Sequence, residues 1–374
     1  MSSMANDLAA TARLWAARAA VSELGVQARH LRRLWAQPGT LLGVDGWPAT
    51  RGERLFRRWS CWAQAHLIDC LVDAQQRYPN AARVTTLTRI VRSVRLRNGR
   101  KWTGDDFGDA AWLGMALLRA SEVVPVDDAD TEIAHRLRDG WSDHAGGGIW
   151  TRAGEDFKSV RANGPATILL TRMGDRIDLQ RARAMAEWME DNLLDENTGL
   201  LWVGLHVNRD GEVREMVKEA YTYTQGVFLG ACLELAAAGD PVWAERAERT
   251  VIAVSEHLAN NGVLRGHGGG DGGLYAGILA RYLALAALRL PALTGASVTA
   301  MAASQIAERL VLTSAAAAWR NRAVARGGPL YGPDWTLPAR VPRSPRHGIP
   351  ERELSAQLGG WMILEAAALL ERSH

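Results

Sequence analysis

The sequence predicts an all-α protein, an (α/α)6 toroid. Three observations lead there. Apolar residues recur at spacings of three and four over most of the 374 residues, the period of a helix with a buried face. Alternating β-branched runs, which would mark strands, are scarce. Roughly twelve helical stretches result, and the connections between them alternate between short and long. Paired, they give six inner helices ringed by six outer ones, with the long connections gathered at one mouth. An irregular α-solenoid is the structural rival, but no fixed sequence period of a helical-repeat array is present.

The elements follow in order. A first helix is placed at 5–35, stopped by "QPGT" at Gln37 to Thr40, where proline and glycine end the helical pattern. Helices are then placed at 53–78, 82–97, 109–123, 129–143, 158–173 and 177–194. The pair 218–238 and 241–260 is divided by "AGD" at Ala238 to Asp240, and the pair 272–289 and 297–320 by "LPALTG". The last helix covers 352–371, and one domain spans 1–374. The long connections are "HAGGGIWTRAGEDF", "DENTGLLWVGLHVNRDGEV", "ANNGVLRGHGGGDGG" and "ARGGPLYGPDWTLPARVPRSPRHGIPERE". Long ordered loops on a helical body usually carry function.

Charge and cysteine usage exclude several classes. With 44 basic and 41 acidic residues the net charge is +3, and no Lys/Arg block forms a phosphate-tracking stripe, so nucleic acid is not implied. The cluster "RHLRRLW" from Arg29 reads as the solvated face of a helix. Cys61, Cys70 and Cys232 are far apart, which argues against disulfides or zinc and for small buried hydrophobes. The N-terminus lacks a basic start followed by an apolar run, and no later segment approaches 18 uncharged apolar residues. That predicts no membrane span and a cytoplasmic protein, or an extracellular one if a leader has been removed. His144, His206, His267 and His347 show no metal-ligand spacing, so neither metal nor cofactor is expected.

The loops point to carbohydrate. The chain holds 15 Trp against 6 Tyr and 4 Phe, and Trp102, Trp150, Trp202 and Trp335 fall in or beside loops. An indole offers a flat apolar face to a sugar ring and an N–H donor at its edge; each tryptophan also fits an ordinary core position. The run "RGHGGGDGGLYAG" has no following Lys-Ser/Thr and no preceding strand, which argues against a phosphate cradle. Its glycines let backbone pass close to a ligand and leave Asp271 at a helix N-terminus, as a cap or as a ligand contact.

The stretch "KWTGDDFGDAAWLGMALLRA" places Asp105, Asp106 and Asp109 at the start of an apolar helix. Together with "GGGIWTRAGEDFKSVRANGPATILLTRMG", "EAYTYTQGVFLGACLEL", "GHGGGDGGLYAGILARYLALAAL" and the terminal "LSAQLGGWMILEAAALL", it resembles glycoside hydrolase family 76, the α-1,6-mannanases, over nearly the whole chain. The resemblance implies an (α/α)6 barrel and endo-hydrolysis of α-1,6-linked mannose chains with retention. That mechanism uses a nucleophilic carboxylate and an acid/base carboxylate about 5 to 5.5 Å apart. The family takes both from consecutive aspartates, which, anchored on Trp112, fall at Gly108 and Asp109. The nucleophile is missing. Thr224 replaces the family's usual Asn, and Ala276 the Lys of many members.

Asp109 matches the acid/base, beside Trp112. Asp105 and Asp106 either stand in for the lost partner or cap and decorate the helix start. The candidate substrate contacts are Trp102, Trp150 and Trp202 from their loop positions, Asp271 from the glycine run, and, by resemblance, Trp112, Asn163, Tyr223, Gln225 and Arg281. Alternatively, Asn163 caps or crosslinks helices, Tyr223 and Gln225 form a buried polar network, and Arg281 pairs with an acid at the barrel wall. Two readings stand: a glycosidase with a rearranged nucleophile or an inverting pair of Asp109 with Asp106 or Asp271, and a glycan-binding pseudoenzyme using the same cleft. A sugar isomerase or epimerase would need paired bases, which the scattered histidines do not supply.

Overall fold

Helix boundaries follow local chemistry in the computed structural model, which describes residues 14–57, 59–345 and 348–373. His347 and the part of the first predicted helix before residue 14 lie outside the described residues. The helices are α1 (Leu14–His30), α2 (Arg51–Arg54), α3 (Cys61–Arg77), α4 (Ala81–Arg97), α5 (Phe107–Ala120), α6 (Ala129–Asp139), α7 (Val160–Met173), α8 (Arg176–Leu193), α9 (Thr222–Ala237), α10 (Val242–His257), α11 (Gly272–Leu293), α12 (Val298–Arg320) and α13 (Leu354–Ser373). Side chains of Ser60, Asp106 and Asp175 accept backbone N–H groups in the first turns of α3, α5 and α8, satisfying donors that have no partner inside the helix.

Every predicted helix has a counterpart, with two changes of extent. The 53–78 stretch is broken: Thr50 and Glu53 form a capping box on the short α2, Phe56 takes a left-handed φ of 52°, and Ser60 restarts the chain as α3. The first helix ends at His30, where Leu31–Arg32 (β1) pairs with Leu42–Gly43 (β2). The long connections, expected as ordered loops, also hold short strands. Phe157–Ser159 (β3), Gly204–Val207 (β4) and Val213–Val217 (β5) form an antiparallel sheet in the order β3-β4-β5. Ala259–Asn260 (β6) pairs with Val263–Leu264 (β7), and Ala323–Ala325 (β8) with Gly328–Leu330 (β9).

The chain divides into two compact units, residues 94–258 with 285–306, and the described residues of 1–93, 259–284 and 307–374. In the first of these, α5, α7 and α9 are buried nearly all round, while α6, α8 and α10 bury one face. Successive helices pack as α5 on α6, α7 on α8 and α9 on α10, and α7 also packs on α5 and α9. That alternation of fully and partly buried helices is what a paired inner and outer arrangement requires. In the other unit α13 packs on α1 and α3, and β9 lies along α1. The buried Arg352 guanidinium pairs there with Glu53, Nη2 to Oε2 at 2.8 Å.

Among the described residues α11 is the helix long and apolar enough to cross a membrane by length and composition, and it is mostly buried in the protein. Its Arg281 pairs with Asp69 and Asp73, and its Arg289 with Glu234, so it is a core helix with charged anchors. Cys70 and Cys232 are buried thiols and Cys61 is half-buried.

Candidate functional site

The aspartates of the α5 N-terminus converge on one guanidinium. Asp106 is the N-cap of α5, its Oδ1 accepting from the Asp109 N–H at 2.8 Å. The same carboxylate accepts from Arg161 Nη1 at 2.9 and 3.0 Å and from Arg152 Nη2 at 3.3 Å. Arg161 Nη2 donates to Asp109 Oδ1. Burial opposes the charge of Arg161, but Asp109 and Asp106 outweigh it and hold its pKa above the ordinary value. The Asp109 side chain remains 29% exposed, so solvent and ligands reach it.

Arg161 is fixed from its backbone outward. It sits in the first turn of α7, and Pro165, four residues on, has no N–H to give its carbonyl. The buried Trp112 donates to that carbonyl instead, Nε1 to O at 3.1 Å. Gly108 lies against the same residue. A Cβ at 108 would stand 2.8 Å from Arg161 Nη1 and 3.2 Å from the Arg161 carbonyl. The guanidinium therefore fills the space a side chain at 108 would need.

Asp105 is exposed and precedes the helix, so it does not share a helical face with Asp109. Its backbone carbonyl accepts from Ala153 N at 2.8 Å and Arg136 Nη2 at 3.3 Å.

Asn163 and Gln225 are fully buried, and their amides serve backbone. Asn163 Oδ1 accepts from Ile149 N–H at 2.8 Å and its Nδ2 donates to Ile149 O at 3.0 Å. Gln225 Oε1 accepts from Leu201 N–H at 2.9 Å and its Nε2 donates to Leu201 O at 2.8 Å. Both amides are thus engaged with the backbone of a connection, as the buried polar alternatives for these residues expect. What they hold are the residues preceding Trp150 and Trp202, the two predicted loop tryptophans that keep part of their surface exposed. Lys158 Nζ lies 4.7 Å from the Trp150 ring centroid, and Lys218 Nζ 4.8 Å from that of Trp202.

Trp102 and Trp335 are core side chains, each 3% exposed, and the Trp102 indole donates to Asp127 O at 3.0 Å. Neither they nor Trp112 presents an open face. Tyr223 is buried in α9, stacks on Tyr221 at 6.2 Å, and acts electrostatically on Arg161.

Arg161 and Lys158 are functional neighbours that the sequence motifs do not single out. Lys158 is fully buried and donates to the carbonyls of Ser142, His144 and Gly147 at 2.8, 2.7 and 2.6 Å, tying down the glycine loop before Trp150. Burial lowers its pKa to about 8. Neither cation has a sequence signal of its own within its motif, because the partners of each meet it only in the folded chain.

In the other unit, exposed Asp271 precedes α11 and lines a cavity of about 250 Å3 with Asp45, Glu53, Ser60, Glu353 and Ser355. Burial, then the charges of Glu53, Asp271 and Glu353, push the Asp45 carboxyl up to about 7. Arg281 pairs with Asp69 at 3.0 Å and Asp73 at 2.6 Å, the wall-anchor alternative for that residue. His267 lies 5.6 Å from the Tyr275 ring, its pKa lowered to about 4 by burial and by Arg265.

Comparison with known proteins agrees with these motifs. The sequence model of Glycosyl hydrolase family 76 matches residues 35–343. The GH76A α-1,6-mannanase from Salegentibacter sp. HEL1_6 is a similar solved structure, 27% identical, with a TM-score of 0.81 over 95% of this chain and 99% of that one. The Lin0763 protein from Listeria innocua is 25% identical, with a TM-score of 0.80 over 96% and 98% of the two chains. The family 76 mannosidase Bt3792 from Bacteroides thetaiotaomicron, 15% identical with a TM-score of 0.75 over 96% and 99%, shares the fold. No curated protein matches significantly. The fold class is all-α, of the α/α-barrel type found in these structures. By its motifs, its fold and the match across most of its length, the chain belongs to glycosyl hydrolase family 76.

Proposed function

We propose that this protein holds α-1,6-linked mannose chains in a glycosidase site that no longer cleaves them by double displacement. The observation that carries the reading is the packing of Gly108 on Arg161, at the position where the family resemblance calls for the nucleophilic carboxylate. Without that carboxylate no covalent glycosyl intermediate forms. Binding does not need it. A Salegentibacter mannanase variant inactivated by replacing two consecutive aspartates with alanine was solved in complex with α-1,6-mannotetrose. In this chain the partly exposed faces of Trp150 and Trp202 supply sugar-stacking surfaces, and Asp109 supplies an acceptor for hydroxyls.

Titration calorimetry with α-1,6-mannotetraose tests this. Saturable heat is expected, with affinity weakened about tenfold or more by Trp150→Ala, since a lost stacking face costs on the order of 1.4 kcal/mol. Absence of binding at millimolar sugar contradicts the reading.

A hydrolytic reading has one observation behind it: Asp106 and Asp109 meet on the same guanidinium, so a second carboxylate is close to the acid/base candidate. An inverting pair spaced about 6.5–9.5 Å would release the opposite anomer. Product formation separates the two readings, and the configuration of any product identifies an inverting pair.

A further inference from the structure

We infer that Arg161 is a positioning residue that forms a second block to hydrolysis beside Gly108, so that cleavage returns only when both positions change. This rests on the reading that the site is a non-cleaving mannanase site. In double displacement a carboxylate at 108 would attack the anomeric carbon while Asp109 gives its proton to the departing glycosidic oxygen. Water would then attack that carbon, return its proton to Asp109 and release the carboxylate. Arg161 obstructs the first displacement in two ways.

The first obstruction is steric and electrostatic. A new carboxylate at 108 would begin with its Cβ 2.8 Å from Arg161 Nη1, and the guanidinium would pair with the nucleophile that has to reach carbon. Arg161 has little room to withdraw. Asp106 holds its Nη1 through both carboxylate oxygens, Asp109 holds Nη2, and Trp112 pins its backbone carbonyl. The second obstruction is protonic. A general acid must carry a proton, and a cation bonded to a carboxylate favours the ionised form.

Removing Arg161 leaves the helix start intact. Asp106 still caps α5 through the Asp109 N–H and still has Arg152 as an ion partner. Gly108 is not in a left-handed conformation, and an acid in the first turn of a helix is favoured by its dipole.

The test uses the full chain as parent, Gly108→Asp, Arg161→Ala and the double variant. Each is incubated with α-1,6-mannotetraose and followed by proton NMR, with calorimetric binding run in parallel. The expected result is hydrolysis with retention by the double variant alone. Gly108→Asp cleaving as fast as the double variant overturns the inference, as does a double variant that binds the tetraose and stays inert. Carboxyl carbon NMR of Asp109 supplies an independent reading. Its titration midpoint should rise by about one unit or more in Arg161→Gln, which keeps the hydrogen-bonding length and loses the charge; an unchanged midpoint overturns the inference. Failure of the parent to bind mannotetraose would remove the underlying reading, while the Asp109 titration still decides the role of Arg161.

Discussion

The amide of Asn163 takes both backbone hydrogen bonds of Ile149, accepting from its N–H at 2.8 Å and donating to its carbonyl at 3.0 Å. The device recurs. Gln225 does the same to Leu201, Gln64 to Gly43 at 2.9 Å each way, and Gln357 to Tyr331 at 3.1 and 2.8 Å. In each case a buried amide on a helix imitates a neighbouring strand and satisfies one extended residue of a connection. Asn163→Leu should therefore orphan both groups of Ile149, lower stability by about 2–4 kcal/mol and loosen Trp150. Urea unfolding and hydrogen exchange at Ile149 measure this. A loss below 0.5 kcal/mol, of the order of an ordinary surface change, would show that the clamp carries little.

Close packing of α13 makes a second prediction. A Cβ at Gly360 would come 2.2 Å from the Tyr331 ring, whose hydroxyl is engaged with Ser22 at 2.7 Å. Gly360→Ala should cost about 1–3 kcal/mol by overpacking, seen as a lower denaturation midpoint at unchanged slope.

The Asp45 cavity makes a third, in pH. Its carboxyl rises from an ordinary 3.8 to about 7 in the folded chain, so between those values the folded state binds more proton than the unfolded. Its contribution is fully present below about 4 and is lost as pH rises through 7, at up to about 1.4 kcal/mol per unit. His267, lowered to about 4, acts with the opposite slope between about 4 and 6.5. The diagnostic quantity is thus parent minus Asp45→Asn, followed by thermal unfolding from pH 4 to 8. The variant should gain on the parent as pH rises, and a flat difference would contradict the burial of that carboxyl.

Much of the helical scaffold was legible because α8 and α10 write their one-sided burial as period, and because proline, glycine and capping residues punctuate the chain. The β4–β5 hairpin was less so. Its turn signal, "NRDG" with Gly211 at φ 88°, lies inside a connection expected as a loop, and strands of four and five residues give little period. Family motifs drew attention to Asp109 and Gly108, but they also cast Asn163 and Gln225 as sugar contacts. A motif records that a residue matters at its position, whereas the fold decides whether it faces ligand or backbone. Arg161 lay within a quoted motif and still escaped notice, since its importance comes from Asp106, Asp109 and Gly108 more than fifty residues earlier.

The most direct measurement is a proton NMR time course of the parent protein with α-1,6-mannotetraose in one tube, watching ligand line widths and reducing-end signals together. The expected result is saturable broadening of the sugar resonances and no new reducing ends over days. Appearance of mannose or mannobiose in proportion to protein concentration would contradict it, and the first anomer formed would show whether that cleavage retains or inverts configuration.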